Sequence, residues 1–394
     1  MAKAKRYTAT DTPASSPPVD PGSGGSVFKD FCIAKLKSVA EAVGGSVDTA
    51  EQLALLAPPR VYVPTGIYAL DNILSEGRGI PCGRFLEVFA PEGVGKTALC
   101  EFLLGRFKSI GGTLHYNDTE NARNEQHLAC YDVTSEDLIA PDLPDLESVW
   151  DYITGVSKSL TEFNAAQKSA GAPPAAPNLI VFDSLAATPA RAELKEESHD
   201  DSHVAEQARA NSKGVRKTAR PFSNTDAVLL CVNQNRDIIG HRGYGPTTYT
   251  PGGNAIRYAY SIRLKLAKIE TLYKGPEDAK IAIGHLVQVQ TVKNKFAPLN
   301  QKCQIVLSYL RGIDVNWSNF LWFQKHRYIT PAGKSGYKFK GSDEAFKRSA
   351  FGQFADDHKE LIAKAAEECL AVDRKQFIQE AEAEAVAASK VDED

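Results

Sequence analysis

"APEGVGKTA", residues 90–98, decides how the rest of the chain is read. Before it, "RFLEVFA" (84–90) is a short apolar run of strand length. After it, "KTALCEFLLGRFKSI" (96–110) reads as a helix. A glycine-rich turn between a strand and a helix matches the phosphate-loop pattern, with Ala90 where that pattern has its first glycine. The chemistry explains the residue types. Gly93 and Gly95 let backbone N–H groups wrap phosphate oxygens, and Pro91, Glu92, Val94 and Ala98 complete the loop. Lys96 reaches the β/γ oxygens, Thr97 offers a hydroxyl to Mg²⁺, and the helix N-terminus adds partial positive charge. A chance turn would not bring the flanking strand and helix with it.

Outward from this loop the chain repeats the strand–helix rhythm. "TLHYND" (113–118), "NLIVFD" (178–183) and "DAVLLCVNQN" (226–235) read as strands, followed by "SIRLKLAKI" (261–269) and "HLVQVQTVKNK" (285–295). Strands with intervening helices predict an α/β fold with a mostly parallel, twisted sheet covered by helices on both faces. "NAAQKSAGAPPAAP" (164–177) reads as a small-residue loop.

The strand ends carry the candidate chemistry. Asp183 emerges at the tip of "NLIVFD", where a carboxylate can hold Mg²⁺ through water beside Thr97. In "LHYNDTENARN" (114–124), Asp118 and Glu120 are both candidates to orient an attacking water, and an ordinary capping carboxylate is the plain alternative. Gln234 ends the next strand as a neutral side chain able to feel a γ-phosphate. The segment that follows, "NRDIIGHRGYGPTTYTPGGNAIRY" (235–258), sets Ile238 and Ile239 between Arg236 and Arg242 in a glycine-rich loop. Arginines around an apolar wedge suit nucleic acid. In "VAEQARANSKGVRKTAR" (204–220), Arg209, Lys213, Arg216 and Arg220 share one helix face with no acid from Gln207 onward, as expected where phosphates supply the counter-charge. In "HLVQVQTVKNK", Val287, Val289 and Thr291 line a face that ends in Lys293 and Lys295. Two ammonium groups so placed either face water at a sheet edge or meet something negative.

Composition bounds the reading. The 394 residues are 43% hydrophobic and 24% charged with a net charge of −3, so any attraction for nucleic acid must be local. Seven scattered cysteines without a C-x-x-C spacing argue against a disulfide framework and for a reducing, cytoplasmic setting. No stretch is long and apolar enough for a membrane span. The expected organisation is a disordered extension (1–26) and an N-terminal helix with its linker (27–63), which must pack on its own core or on another copy. A core (64–311), a small α/β C-terminal domain (312–379) and a solvated acidic tail (380–394) follow.

From "VPTGIYALDNIL" (63–74) to "GIDVN" (312–316), the chain resembles the RecA family of homologous-recombination ATPases. The resemblance rests on "GIPCGRFLEVFAPEGVGKT", "NDTENARN", "LIVFDSLAATPARAEL", "DSHVAEQAR", "VNQNR", "PGGNAIRYAYSIRL" and "VKNK". It implies ATP and Mg²⁺ as cofactors, held by Lys96, Thr97 and Asp183, with Glu120 as the catalytic carboxylate and Gln234 as the γ-phosphate sensor. It implies a first DNA-binding segment carrying Val204, Arg209, Ser212, Lys213 and Arg216. A second carries Arg236, Ile239 as an inserted wedge and Gly240, followed by backbone contacts from Gly252, Gly253 and Asn254. It implies that Lys293 and Lys295 reach the ATP of the adjacent subunit in a head-to-tail helical filament, with single-stranded and homologous double-stranded DNA as partners. Asn124 and His127 stand where bacterial members usually have an Asp and a Tyr near the adenine, a divergence similar to that of phage-encoded relatives. One rival is a hexameric helicase with the same core, against which the "VKNK" and "GGNA" segments favour the filament; the other is a nucleotide-gated structural or regulatory filament without exchange activity, against which Glu120 speaks.

Overall fold

The structure is a computed structural model describing residues 33–34, 36–37, 61–120, 123–185, 187–195, 204–234, 236–237, 248–333 and 336–391. The chain divides into two compact units, Met1–Pro59 and Arg60–Asp394. In the first, residues 33–34 and 36–37 are helical, and the rest of the expected extension and helix lies outside the described residues.

The second unit is built on one large sheet. After a short strand, Tyr62–Val63, that pairs with Ile80–Pro81, its main elements in chain order begin with helix α1 (Tyr68–Ser75), strand β1 (Arg84–Ala90) and helix α2 (Lys96–Lys108). Next come β2 (Leu114–Asp118), α3 (Glu125–Cys130), β3 (Leu138–Ile139), α4 (Leu146–Ser169) and β4 (Asn178–Asp183). They continue with α5 (Val204–Phe222), β5 (Ala227–Gln234), α6 (Asn254–Ala259), β6 (Ile262–Lys274) and β7 (Ile281–Asn294). After β8 (Lys302–Ser308) and β9 (Gly312–Asp314) come α7 (Val315–Lys325), α8 (Phe351–Asp357) and α9 (Lys359–Val391).

Among the described residues nine strands join in the order β9-β8-β7-β6-β1-β5-β4-β2-β3. The six from β6 to β3 run parallel, and β7, β8 and β9 extend the sheet antiparallel. Central strands are buried on both faces, which is why "NLIVFD" and "AVLLCVNQ" are nearly unbroken apolar runs. Alternation then divides the core. Leu86, Val88 and Ala90 face the cluster under α1 and α2, while Phe85 joins Trp150 and Phe222 on the other side. The parallel register aligns Ala90 with Gln234 and Asp118 with Asp183, so the candidate groups meet at one sheet edge.

β7 lies between β6 and β8, but its pairing with β8 ends at Gln290, so Lys293 is paired through β6 alone. Two expectations change. Residues 164–169 form the last turns of α4 rather than a loop, because their Ala, Gln and Lys sustain a helix. The helix stops where Gly171 adopts φ +68° and Ala172 N–H donates to Gln167 O (2.9 Å). Finally, α9 continues to Val391, so residues 380–391 extend a helix instead of forming a separate tail, as their Ala- and Glu-rich sequence favours.

The C-terminal segment packs a three-stranded antiparallel sheet, Ile329–Ala332, Gly336–Phe339 and Ala345–Phe346, against α7 and α8. Aromatic rings fill the space between: Phe320 meets Tyr337 edge-on at 4.9 Å, and Phe346 stacks on Phe354 at 4.4 Å. These rings belong to one apolar cluster that runs from Val63 to Cys369.

Candidate functional site

The phosphate loop follows β1 directly and ends at the first residue of α2. Gly93 (φ +72°) and Gly95 (φ +111°) occupy the left-handed region, which a side chain would strain. A Cβ built on Gly93 would meet no atom within 4 Å, so the loop is open at this position. Pro91, Glu92 and Gly93 are exposed there, and Val94 and Ala98 are buried beneath. Val94 O is paired with His285 Nε2 at 3.1 Å, which ties the loop to β7. Lys96 Nζ donates to Ala90 O (3.2 Å) and Pro91 O (3.1 Å), arching over the loop as a cation over the space an anion would fill. Burial lowers its pKa, and Asp183 and Glu120 oppose that shift.

Opposite the loop stand the carboxylates. Thr97 Oγ1 donates to Asp183 Oδ2 at 3.0 Å, joining the two groups expected to serve Mg²⁺. Asp183 is only 2% exposed, and this burial raises its pKa to about 6 against the Thr97 hydrogen bond, with Glu120 and Asp118 adding repulsion. A hydroxyl beside a costly buried carboxylate is a hard-oxygen donor pair, which fits a divalent cation of the Mg²⁺ type completed by phosphate and water. Glu120 Oε1 accepts from Ser184 Oγ (2.5 Å) and from Gln234 Nε2 (3.2 Å), while its second oxygen takes part in neither bond. Asp118 Oδ2 instead accepts from the backbone N–H of Arg123 (3.1 Å) and acts as a local cap. Ser184, which follows Asp183 in "LIVFDS", was not singled out in the sequence; small polar residues after a strand-end acid are too common to signal a role.

Asn124 and His127, expected near the adenine, both hold protein partners. The Asn124 side chain caps α3 by accepting from Gln126 N–H (2.9 Å) and His127 N–H (3.2 Å). His127 Nδ1 pairs with Glu101 Oε2 (3.1 Å), and its Nε2 lies 3.2 Å from Tyr309 O. Glu101, a fully buried acid on α2, also accepts from Asn124 N–H at 2.6 Å, and burial raises its pKa. The histidine thus bridges the helix of the phosphate loop to the residues after β8. An acid hidden in the apolar run "ALCEFLL" was the available signal for this pair.

The basic stripe lies on α5. Arg209, Lys213, Arg216 and Arg220 are exposed, and Ser212 is half-buried beside them. Arg209 is ion-paired with Glu206, one turn upstream, so the stripe has one acidic partner that counting from Gln207 overlooked. The opposite face packs on α4, where a Cβ on Gly214 would sit 2.1 Å from Trp150 Cγ. Gly252 (φ +104°) and Gly253 (φ +82°) lead into α6. A Cβ on Gly252 would sit 2.7 Å from Leu185 after β4, and one on Gly253 2.7 Å from Ala208 of α5, so only glycine allows these approaches. Asn254 is exposed at the first position of α6. Ile239 and Gly240 lie outside the described residues, as do the side chains of Val204 and Arg236.

Lys293 and Lys295 stand apart from the phosphate loop. Lys293 Nζ donates to Arg257 O (2.9 Å) and Tyr258 O (2.8 Å) at the end of α6. Burial lowers its pKa, with Lys295 and Arg263 contributing. Lys295 is exposed, and its N–H donates to Ser261 O, whose own N–H donates to Phe85 O near the start of β1. Both lysines therefore lie toward the end of the sheet away from Ala90.

A model of the RecA N-terminal domain matches residues 59–314. Protein RecA of Caldanaerobacter subterraneus subsp. tengcongensis is 32% identical over 299 residues, 76% of this chain and 81% of that protein. Protein RecA of Streptomyces ambofaciens is 31% identical over 303 residues, 77% and 75% of the two chains. Protein RecA of Gloeobacter violaceus is 34% identical over 251 residues, 64% and 62%.

Proposed function

The chain belongs to the RecA family and is a RecA-type recombination and repair protein, and we propose that it assembles on single-stranded DNA with ATP and Mg²⁺ as a head-to-tail helical filament. That filament pairs its strand with homologous duplex, exchanges strands, and hydrolyses ATP when DNA is bound. The observation that carries this reading is the 3.2 Å bond from Gln234 Nε2 to Glu120 Oε1. It joins the candidate base to the tip of the strand from which the expected DNA loop departs.

Each residue has a stated task in this reading. The backbone N–H groups of residues 92–98 and the Lys96 ammonium bind the β/γ-phosphates. Thr97 and Asp183 hold Mg²⁺, which when bound neutralises charge developing on the phosphates. Glu120 orients water through the oxygen that Ser184 and Gln234 leave uncommitted. Lys293 and Lys295, remote from their own loop, supply positive charge to the ATP of a neighbouring subunit. The α5 stripe and the loop before Gly252 hold the DNA backbone.

The test is hydrolysis with and without single-stranded DNA. Glu120→Gln should bind nucleotide and DNA as the parent does while DNA-dependent hydrolysis falls by about 10²-fold or more, the usual size of a general-base contribution. Undiminished hydrolysis by that variant would remove Glu120 from the reaction.

A further inference from the structure

Three consecutive residues at the end of the expected DNA loop are each held by a side chain from a different element. Arg263 of β6 donates from Nη2 to Thr250 Oγ1 at 2.9 Å. Asn233 of β5 donates from Nδ2 to Pro251 O at 3.0 Å. Asn211 of α5 donates from Nδ2 to Gly252 O at 3.0 Å. Thr250, Pro251 and Gly252 are all buried, so these carbonyls and this hydroxyl depend on protein partners rather than water.

The donors are themselves locked. Arg263 Nε pairs with Glu87 Oε2 at 2.5 Å, and its guanidinium lies 5.0 Å from the centre of the Phe89 ring. Glu87 and Asn233 are fully buried on neighbouring strands. The second hydrogen of Asn233 Nδ2 goes to Glu87 Oε1 (2.9 Å), and its Oδ1 accepts the Gln234 backbone N–H (3.0 Å). With both amide hydrogens given to pure acceptors and the oxygen given to a donor, the side chain has one orientation it can keep. Asn211 Oδ1 accepts from Trp150 Nε1 at 3.0 Å, which fixes it in the same way.

We infer that Asn233 is a positioning residue that couples the nucleotide site to the DNA-facing elements, gripping the Pro251 carbonyl on one side and the Gln234 backbone on the other. Glu87 and Arg263 form the rigid seat for this grip, and Asn211 extends it to the basic helix. A shift of the Gln234 backbone loads the Asn233 amide through its oxygen, and with one hydrogen held by Glu87 the amide passes that load to Pro251. DNA bound at the loop acts on the same bond from the other end, as reciprocity between two linked sites requires. The inference rests on the proposed DNA-dependent ATPase and names the residue that carries its coupling.

The test is the affinity for fluorescently labelled oligo(dT), measured by anisotropy with a non-hydrolysable ATP analogue and with ADP. The ratio of the two affinities reads the coupling. Asn233→Ala removes both donated bonds without adding charge. It should cut that ratio by roughly tenfold, within the usual range of allosteric coupling, while nucleotide affinity without DNA stays at the parent value. A variant that keeps the full ratio overturns the role of Asn233 alone. A ratio of one in the parent protein overturns the proposed function itself. A second measurement needs no substitution: backbone hydrogen exchange at Thr250 and Gly252 should change when the ATP analogue and Mg²⁺ bind without DNA. Identical exchange in the two states also overturns the coupling.

Discussion

Asp183 is buried with the Thr97 hydroxyl as its donor, and burial raises its pKa from 3.8 to about 6. A raised carboxyl pKa means the folded protein holds that proton more tightly than the unfolded chain does. The stability gained from the bound proton is therefore full below about pH 4 and is lost as pH rises through about 6. In nucleotide-free protein, Asp183→Asn should then raise the unfolding midpoint at pH 7.5, with an upper bound of about 3 kcal/mol from the shift of about two units. The advantage should shrink as pH falls toward 5, and a thermal melt series across pH checks it; a constant advantage would place its cause elsewhere. Lys96→Ala should abolish ATP binding or hydrolysis, because backbone N–H groups do not replace an ammonium at the β/γ-phosphates. Retained hydrolysis would contradict the assignment of the loop. The loop and Asp183 were legible from spacing and strand position, whereas Glu120 was set apart from Asp118 only by the family resemblance. Ser184, Glu101 and Asn233 were not, because their roles come from partners 64, 26 and 18 residues away in sequence.

At the scale of elements, α5 has two faces with separable consequences. Its inner face is closed by the contact of Gly214 with Trp150. Gly214→Ala should destabilise the fold by about 1–3 kcal/mol through overpacking, despite the better helix propensity of alanine. Its outer face is exposed and cationic, so Lys213→Ala and Arg216→Ala should leave the melting temperature alone and weaken DNA binding. Each lost phosphate contact lowers the slope of log affinity against log salt by about 0.7 on single strands. Binding isotherms across a salt series measure that slope, and an unchanged slope would mean the stripe is only solvated. The stripe was legible from helical spacing. The closeness of α4 was not, since nothing local to "SKGVR" names Trp150 as its neighbour. Element ends were the weaker part: Ala-rich sequence carried α4 and α9 further than punctuation by Gly and acidic residues suggested.

At the scale of the whole molecule, the parallel register brings the loop, Asp183, Glu120 and Gln234 to one sheet edge and leaves Lys293, bonded to α6 carbonyls, and Lys295, bonded to Ser261, away from it. A site whose positive charge comes from another copy predicts complementation. Protein with both Lys293→Ala and Lys295→Ala should bind nucleotide yet lose DNA-stimulated hydrolysis, and mixing it with Lys96→Ala protein should restore part of the rate. No recovery in the mixture, or full activity of the double variant alone, would contradict action in trans. The sequence made the alternating α/β order plain, whereas the three antiparallel strands that turn the lysines away depend on pairings of β7 with both β6 and β8. The most direct measurement of the central claim is electron microscopy of the protein with single-stranded DNA, Mg²⁺ and a non-hydrolysable ATP analogue. Continuous helical filaments along the DNA are the predicted result; closed rings or dispersed particles under the same conditions would contradict it.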